Sequence, residues 1–234
     1  MKFVSSVLLA IATVLFVIAI PLAIVSTNVR TLALDPSFYE KGQIKFGAMQ
    51  TIGLTLEQIQ ASSRSLANYF GSSQGDLASE LQKQGLPSSF FNNRETLHLK
   101  DVKDIIVRVG TLQQLALGYG LLFLIGNLIF WRKGLLRRIG KSFLWGSGIT
   151  LAALILFGAL SLTDFSDLFL TFHLVSFSNN LWILDPKTSY LIRMFPSGFF
   201  FEASLTMATY SALQAIGLAV VGTGLLVIGR SRTR

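Results

Sequence analysis

The sequence predicts an all-α membrane protein with four transmembrane helices, a helical extracytoplasmic cap, and N- and C-termini in the cytoplasm. Three observations carry that expectation. Hydrophobic residues make up 51% of the 234-residue chain against 14% charged, with a mean hydropathy of +0.57, which is too apolar for a water-soluble fold of this size. Residues 3–25, 112–130, 143–162 and 204–228 hold no acidic or basic side chain, and each is close to or above the ~20 apolar residues that a helix needs to cross a hydrocarbon core. The third observation is the placement of charge. Lys2, Arg132, Lys133, Arg137, Arg138, Lys141, Arg230, Arg232 and Arg234 flank these runs with no acid among them, so the positive-inside bias assigns their segments to the cytoplasm. The other basic residues and all twelve acids lie in residues 26–111 and 163–203, which therefore face outward.

Each element has its own signal. The apolar run at 3–25 is longer than the ~7–15 residues of a signal-peptide h-region, and it reads as an uncleaved anchor. In the cap, residues 26–111, Thr55 and Gln58 form a capping box before Leu56, Ile59, Leu66 and Phe70, which recur on one helical face until Gly71. Asp76 caps a short helix through Leu77 and Leu81 that ends at Gly85 and Pro87. A third amphipathic run begins near Asn93 with Leu99, Val102, Ile106 and Val109 on its apolar side, and His98, Asp101 and Ile105 share an adjacent face. An upright helix from His98 to Leu112 would rise about 21 Å, so this run is expected to lie along the interface or to bend near Gly110. Residues 131–142 form a basic cytoplasmic loop between the second and third spans. The second outer loop, 163–203, is crowded with Phe165, Phe169, Phe172, Phe177, Trp182, Tyr190, Phe195, Phe199, Phe200 and Phe201. Two readings of it stand level: a greasy pocket lining with a few polar points, or an interfacial segment packed under the cap. The stripe Ala208, Ala212, Ala215, Ala219 and Gly222 in the last run permits close helix packing.

Composition also excludes function classes. A pI of about 10.0 invites a nucleic-acid reading, but the excess charge is topological and no basic-aromatic stripe accompanies it. With no Cys there is no thiol nucleophile and no disulfide. Gly71-Ser72-Ser73-Gln74-Gly75 has the spacing of a hydrolase elbow, yet it follows a helical pattern where the elbow needs a strand, so it reads as a loop. No H-E-x-x-H or close histidine pair marks a metal site, and neither a metal nor a cofactor is expected. No repeat period or Pro-rich linker divides the chain, which reads as one membrane domain.

What remains is the histidines, His98 and His173, both in outward segments. Imidazole titrates near neutrality, so two of them at the membrane surface point to proton transfer on a lipid. A lone outer histidine is more often an ordinary surface residue, and the motifs around these two decide the matter. Leu97-His98-Leu99-Lys100-Asp101-Val102-Lys103 in the first loop is joined by Phe172-His173, Phe177, Asn179, Trp182, Leu184-Asp185-Pro186, Leu191-Ile192 and Phe195-Pro196 in the second. Together they resemble the lipoprotein intramolecular transacylase (Lit) family of bacterial integral membrane proteins, along the whole chain in element order. Ser189, where an acid is expected after the Asp-Pro turn, and Val175-Ser176, where aromatics are expected, depart from that pattern.

The resemblance implies acyl transfer from the glyceryl 2-position to the α-amine of the diacylglyceryl cysteine of a lipoprotein. It implies a multi-pass protein of the bacterial cytoplasmic membrane with its site at the outer leaflet, acting as a monomer on diacylglyceryl lipoproteins among membrane lipids. It also implies that His98 and His173 are catalytic. Asp101, Phe172, Phe177, Asn179, Asn180, Trp182 and Asp185 are the supporting or pocket candidates: Asp101 to orient His98, and Asn179 or Asn180 to donate to the carbonyl oxygen. For several of these a plainer role competes: a solvated charge for Asp101, a turn for Asp185, a turn cap for Asn179 and Asn180, an interfacial anchor for Trp182. Two alternatives remain, a phospholipid or lysolipid acyltransferase or hydrolase, and a non-catalytic lipid or lipoprotein binding or export factor.

Overall fold

The computed structural model describes residues 2–72 and 74–231, with nothing stated for the side chains of 2–5 and 231; Ser73, Arg232 and Arg234 lie outside the described residues. Among the described residues ten helices follow one another: α1 (Lys2–Ala33), α2 (Pro36–Lys45), α3 (Ala48–Ile52), α4 (Leu56–Gly71), α5 (Leu77–Lys83), α6 (Asn93–Phe130), α7 (Leu135–Thr163), α8 (Phe165–Ser176), α9 (Tyr190–Met194) and α10 (Ser197–Ser231). No strand occurs among the described residues. The helices α1, α6, α7 and α10 are long and apolar enough to cross a membrane.

The helix-capping signals within residues 26–111 act as their chemistry requires. Thr55 and Gln58 close a reciprocal box at the start of α4, Asp76 accepts from the Ser79 amide at the start of α5, and Gly85 takes a left-handed φ of 79° behind α5. The run from Asn93 and the apolar stretch from Leu112 form one helix, α6, because Gly110 keeps a right-handed conformation and the residues around it continue the ladder. Two helices were missed from the sequence although each has a start signal: α2, which Asp35 caps and Pro36 starts, and α8, which Asp164 caps through the amides of Ser166 and Asp167.

Two compact units emerge. The first comprises Met1–Asn28, Gly110–Ala159 and Met207–Arg234. Its helices meet through rings and glycines: Phe16 stacks on Phe123 at 4.3 Å, and a Cβ on Gly140 would stand 2.7 Å from the carbonyl oxygen of Gly222. Within the small-residue stripe of α10, Ala215 and Gly222 are the buried members. Polar side chains join helices here too. Asn28, from α1, donates to Ser211 Oγ and to Gln214 Oε1, each at 2.9 Å, and Tyr119 donates to the Ala12 carbonyl at 2.8 Å.

The second unit comprises Val29–Val109 and Leu160–Thr206. Its core runs through Ile59, Leu66 and Phe70 of α4, Leu77 and Leu81 of α5, Leu99 and Ile106 of α6, and Leu191, Met194, Phe195 and Phe199 of the later segment. Of the amphipathic face read from the sequence of α4, Ile59, Leu66 and Phe70 pack, whereas Leu56 in its first turn is exposed. Tyr39 anchors this core by donating to the Ala33 carbonyl at 2.7 Å while its ring meets Phe195 and Phe199. The aromatics of residues 163–203 thus divide: Phe195 and Phe199 fill the core, whereas Phe172, Phe177 and Trp182 gather about His173.

Candidate active site

His98 lies in the second turn of α6, whose start is fixed by a reciprocal cap: Glu95 takes the Asn92 amide at 2.7 Å and Asn92 Oδ1 takes the Glu95 amide at 3.0 Å. The first turns of α6 are charged, and the uncharged stretch that can span a bilayer begins only at Val109, so His98 sits outside it. His173 lies in the last turn of α8. Both rings are buried, with His98 7% and His173 9% exposed. Seventy-five residues of chain separate them, yet the fold of the second unit sets their ring centroids 6.0 Å apart with planes inclined by 30°.

The pair is walled by aromatics. Phe177 stands 5.1 Å from the His98 ring and 5.5 Å from the His173 ring, Trp182 is 5.0 Å from His173, and Phe169 and Phe172 meet it edge-on at 4.5 and 5.4 Å. Such walls lower the local dielectric and make the placement of each proton consequential. His173 Nδ1 is 2.8 Å from the Phe169 carbonyl oxygen. A carbonyl only accepts, so Nδ1 carries the hydrogen, and the neutral ring presents its basic lone pair at Nε2. His98 differs: its Nδ1 is buried and has no hydrogen-bond partner among the described residues. Burial, with His173 as a second cause, pushes the His98 pKa down from 6.5 to about 4 against an opposing pull from the Asp101 carboxylate. His98 is therefore a neutral imidazole across the physiological range.

The other sequence candidates take distinct places. Asp101, one turn beyond His98, accepts from Asn179 Nδ2 at 2.9 Å, and Asn179 Oδ1 accepts the Leu181 amide at 2.9 Å. Asp101 thus acts on His98 through its charge, while its hydrogen bond holds the segment that follows α8. Asp101, Phe177 and Asn179 also border a small cavity of about 70 Å³. Asn180 is exposed, and its carbonyl oxygen accepts from Arg94. The Asp185 carboxylate takes the Lys187 amide at 2.9 Å and the Thr188 hydroxyl at 3.3 Å, the bonding of a turn starter. Sequence reading passed over Glu95, which is 1% exposed and binds Ser189 and Leu191. The Asn92-x-x-Glu95 spacing of a capping box was the available signal.

Two imidazoles in an apolar enclosure, one with a lone pair at a known nitrogen and the other neutral with an unpartnered polar atom, have the chemistry to accept and return protons. Among the described residues, no group of three His, Asp or Glu side chains could hold a metal ion. Four bilayer-length helices together with a buried histidine pair define the class: a membrane-integral protein with a candidate acid-base site.

The model of the family described as lipoprotein intramolecular transacylase Lit matches residues 14–200, and the chain belongs to that family. Solved structures agree in fold. The chain is similar to the membrane-integral lipoprotein intramolecular transacylase Lit from Bacillus cereus, with a TM-score of 0.81 and 20% identity over 98% of this chain and 100% of that one. Two further structures of that protein, in which one histidine is replaced by arginine or by alanine, superpose with TM-scores of 0.77 and 0.76 at 18% identity. They cover 99% and 100% of this chain, and 97% and 99% of theirs. No curated protein matches the chain. Family membership places it among membrane-integral enzymes of acyltransferase type.

Proposed function

We propose that the protein moves an acyl chain within a diacylglyceryl lipoprotein, from the glyceryl 2-oxygen to the α-amine of the lipidated N-terminal cysteine. The observation that carries this reading is the histidine pair, brought within 6.0 Å inside an aromatic wall in a chain that has no cysteine. Amine nitrogen, Cα, Cβ, sulfur, glyceryl methylene, glyceryl methine, ester oxygen and carbonyl carbon close an eight-membered ring in the attacking state. The substrate supplies its own nucleophile. Holding both ends of one molecule in an attacking pose can lower the barrier by about 7 to 11 kcal/mol relative to a bimolecular encounter.

The proton steps balance through the rings and solvent. The α-ammonium, with a pKa near 7.7 to 8.0, gives one proton to solvent to become the attacking amine, and the nitrogen must shed a second as the N–C bond forms. His173 Nε2 takes it, with the Phe169 carbonyl holding the opposite N–H and steadying the imidazolium that forms. As the new N–C bond forms, the carbonyl oxygen gains charge, and His98 as a neutral imidazole donates a hydrogen bond to it. Cleavage of the C–O bond releases a glyceryl alkoxide, which recovers the proton from His173. The products are an amide and a free 2-hydroxyl, a lyso-form lipoprotein, and the step needs no cofactor to balance.

The charge pattern supports a site on the outer face of a bacterial cytoplasmic membrane, with both termini inside and a lipid-anchored substrate arriving from the outer leaflet. Phe172, Leu174 and Val175 expose apolar side chains on α8 beside His173, a surface suited to acyl chains, and the protein acts as a monomer among membrane lipids. Mass spectrometry of a defined diacylglyceryl lipopeptide tests the reaction. The expected result is unchanged total mass, with fragment ions placing one acyl chain on the cysteine nitrogen. Loss of one acyl mass would establish hydrolysis in its place, and an untouched substrate would shift the reading to another lipid or to a binding role.

A further inference from the structure

Glu95 has no part in the proton steps, yet its carboxylate is among the most deeply buried groups of the second unit, 1% exposed. Burying a carboxylate is costly unless strong donors meet it. Three do: the Asn92 amide at 2.7 Å on Oε2, and the Ser189 hydroxyl at 2.5 Å and the Leu191 amide at 2.9 Å on Oε1. The first belongs to the cap of α6, the other two to the start of α9. One side chain therefore terminates two helices and ties them together.

Its position along the chain gives the link a consequence. Glu95 precedes His98 by one turn of α6, and Ser189 and Leu191 end the segment that leaves His173 and carries Phe177 and Trp182 past the rings. That segment is fastened to α6 at both ends, by Asp101 to Asn179 after His98 and by Glu95 to Ser189 and Leu191 before it.

We propose that Glu95, with Ser189 as its partner, is a positioning residue that sets the second-loop wall and His173 against His98. The inference rests on the proposed acyl transfer for its kinetic consequence and on geometry alone for the fastening. A displacement of about 1 Å in a reacting group can cost about 100-fold in rate. Glu95→Gln keeps the reach but retains one acceptor oxygen, and Ser189→Ala removes one donor while leaving the two amides. Both are milder than Glu95→Ala, which strips all three bonds from a buried site and endangers folding.

The test pairs kinetics on a diacylglyceryl lipopeptide with amide hydrogen exchange. Expected for Glu95→Gln is a kcat lower by about 10- to 100-fold with KM within about twofold, and for Ser189→Ala a smaller loss of the same kind. Amides of residues 177–191 exchange at least about tenfold faster in Glu95→Gln while α4 and α5 keep their protection. Unchanged exchange in residues 177–191 would overturn the inference, as would an unchanged kcat or a kcat loss matched by loss of folded protein throughout. The two readings fail separately. An unsubstituted protein that is inert on the lipopeptide, with faster exchange in Glu95→Gln, sinks the transfer reaction and leaves the fastening. An active Glu95→Gln with unaltered exchange sinks the positioning role and leaves the reaction.

Discussion

The two units of this protein are built inside out with respect to each other. In the unit containing the apolar halves of the long helices, large hydrophobics face outward, with Leu122 and Val220 each 68% exposed, while Asn28, Asn127, Thr150, Ser211 and Ala215 are buried. In the other unit Ile59, Leu66, Leu77 and Phe91 are buried, and charged side chains such as Lys45 and Glu202 pair on the surface. The difference is one of solvent. Lipid is as apolar as leucine, so helices within it gain from small residues and interhelical hydrogen bonds, whereas water drives apolar surface together. The histidines belong to this second unit, where Phe169, Phe172, Phe177 and Trp182 wall the rings beside the main core, and where Leu174 and Val175 of α8 still face outward.

Substitutions can break or sharpen this contrast. The largest effect is expected at the rings: His98→Ala and His173→Ala each lower transfer by about 10²- to 10⁴-fold with the fold intact. Asn28→Ala, in the lipid-type unit, leaves the rate within about twofold, as quantified by product mass spectrometry. Equal losses at all three positions would erase the distinction between the units.

Packing comes next. Leu66→Ala is expected to cost about 2 to 5 kcal/mol, because Leu66 is 1% exposed in a close-packed core. Leu122→Ala, at an outward-facing position, should stay within about 0.5 kcal/mol. Unfolding of purified protein in detergent compares the two, and similar shifts would mean that the outward leucines are not lipid-facing.

Acid gives a smaller and signed effect. His98 has a folded-state pKa of about 4 against 6.5 when unperturbed, so above pH 6.5 it is neutral folded or unfolded and contributes no pH dependence. As pH falls from 6.5 toward 4 the unfolded chain binds a proton that the folded chain does not, and stability declines; below 4 both are protonated and this decline stops. The unfolding midpoint should therefore drop more between pH 7 and 4.5 in the unsubstituted protein than in His98→Gln. Identical acid losses would contradict the burial of His98. Asn28→Ala is expected to lower stability by about 0.6 kcal/mol and no more than about 1.7, by the same unfolding measurement.

Much of this was legible in the residues. Uncharged runs announced the four long helices, and Thr55, Gln58 and Asp76 announced the cap helices, because these signals act over a few neighbouring residues. The end of the amphipathic run at Asn93 was harder to read, since Gly110 can break a helix or remain within it, and only the whole of α6 shows that it remains. Motifs pointed to both histidines, but their meeting depends on packing across 75 residues that no local pattern encodes. Asp101 illustrates the limit. Its spacing placed it beside His98, whereas its hydrogen-bond partner, Asn179, comes from another segment. Glu95 was hidden for the same reason, being a capping residue in sequence and an inter-segment fastening in space.

The central claim, that the acyl chain moves within one substrate molecule, is tested most directly by a crossover experiment. Two diacylglyceryl lipopeptides are mixed, one carrying an isotopic label in both its 2-acyl chain and its peptide and the other carrying none, and incubated with the purified protein. Intramolecular transfer should yield N-acylated products that are doubly labelled or unlabelled, none of which form in the His98→Ala and His173→Ala variants. Singly labelled products would show that the chain passes between molecules, and labelled free fatty acid would show that water takes it; either result would contradict the mechanism.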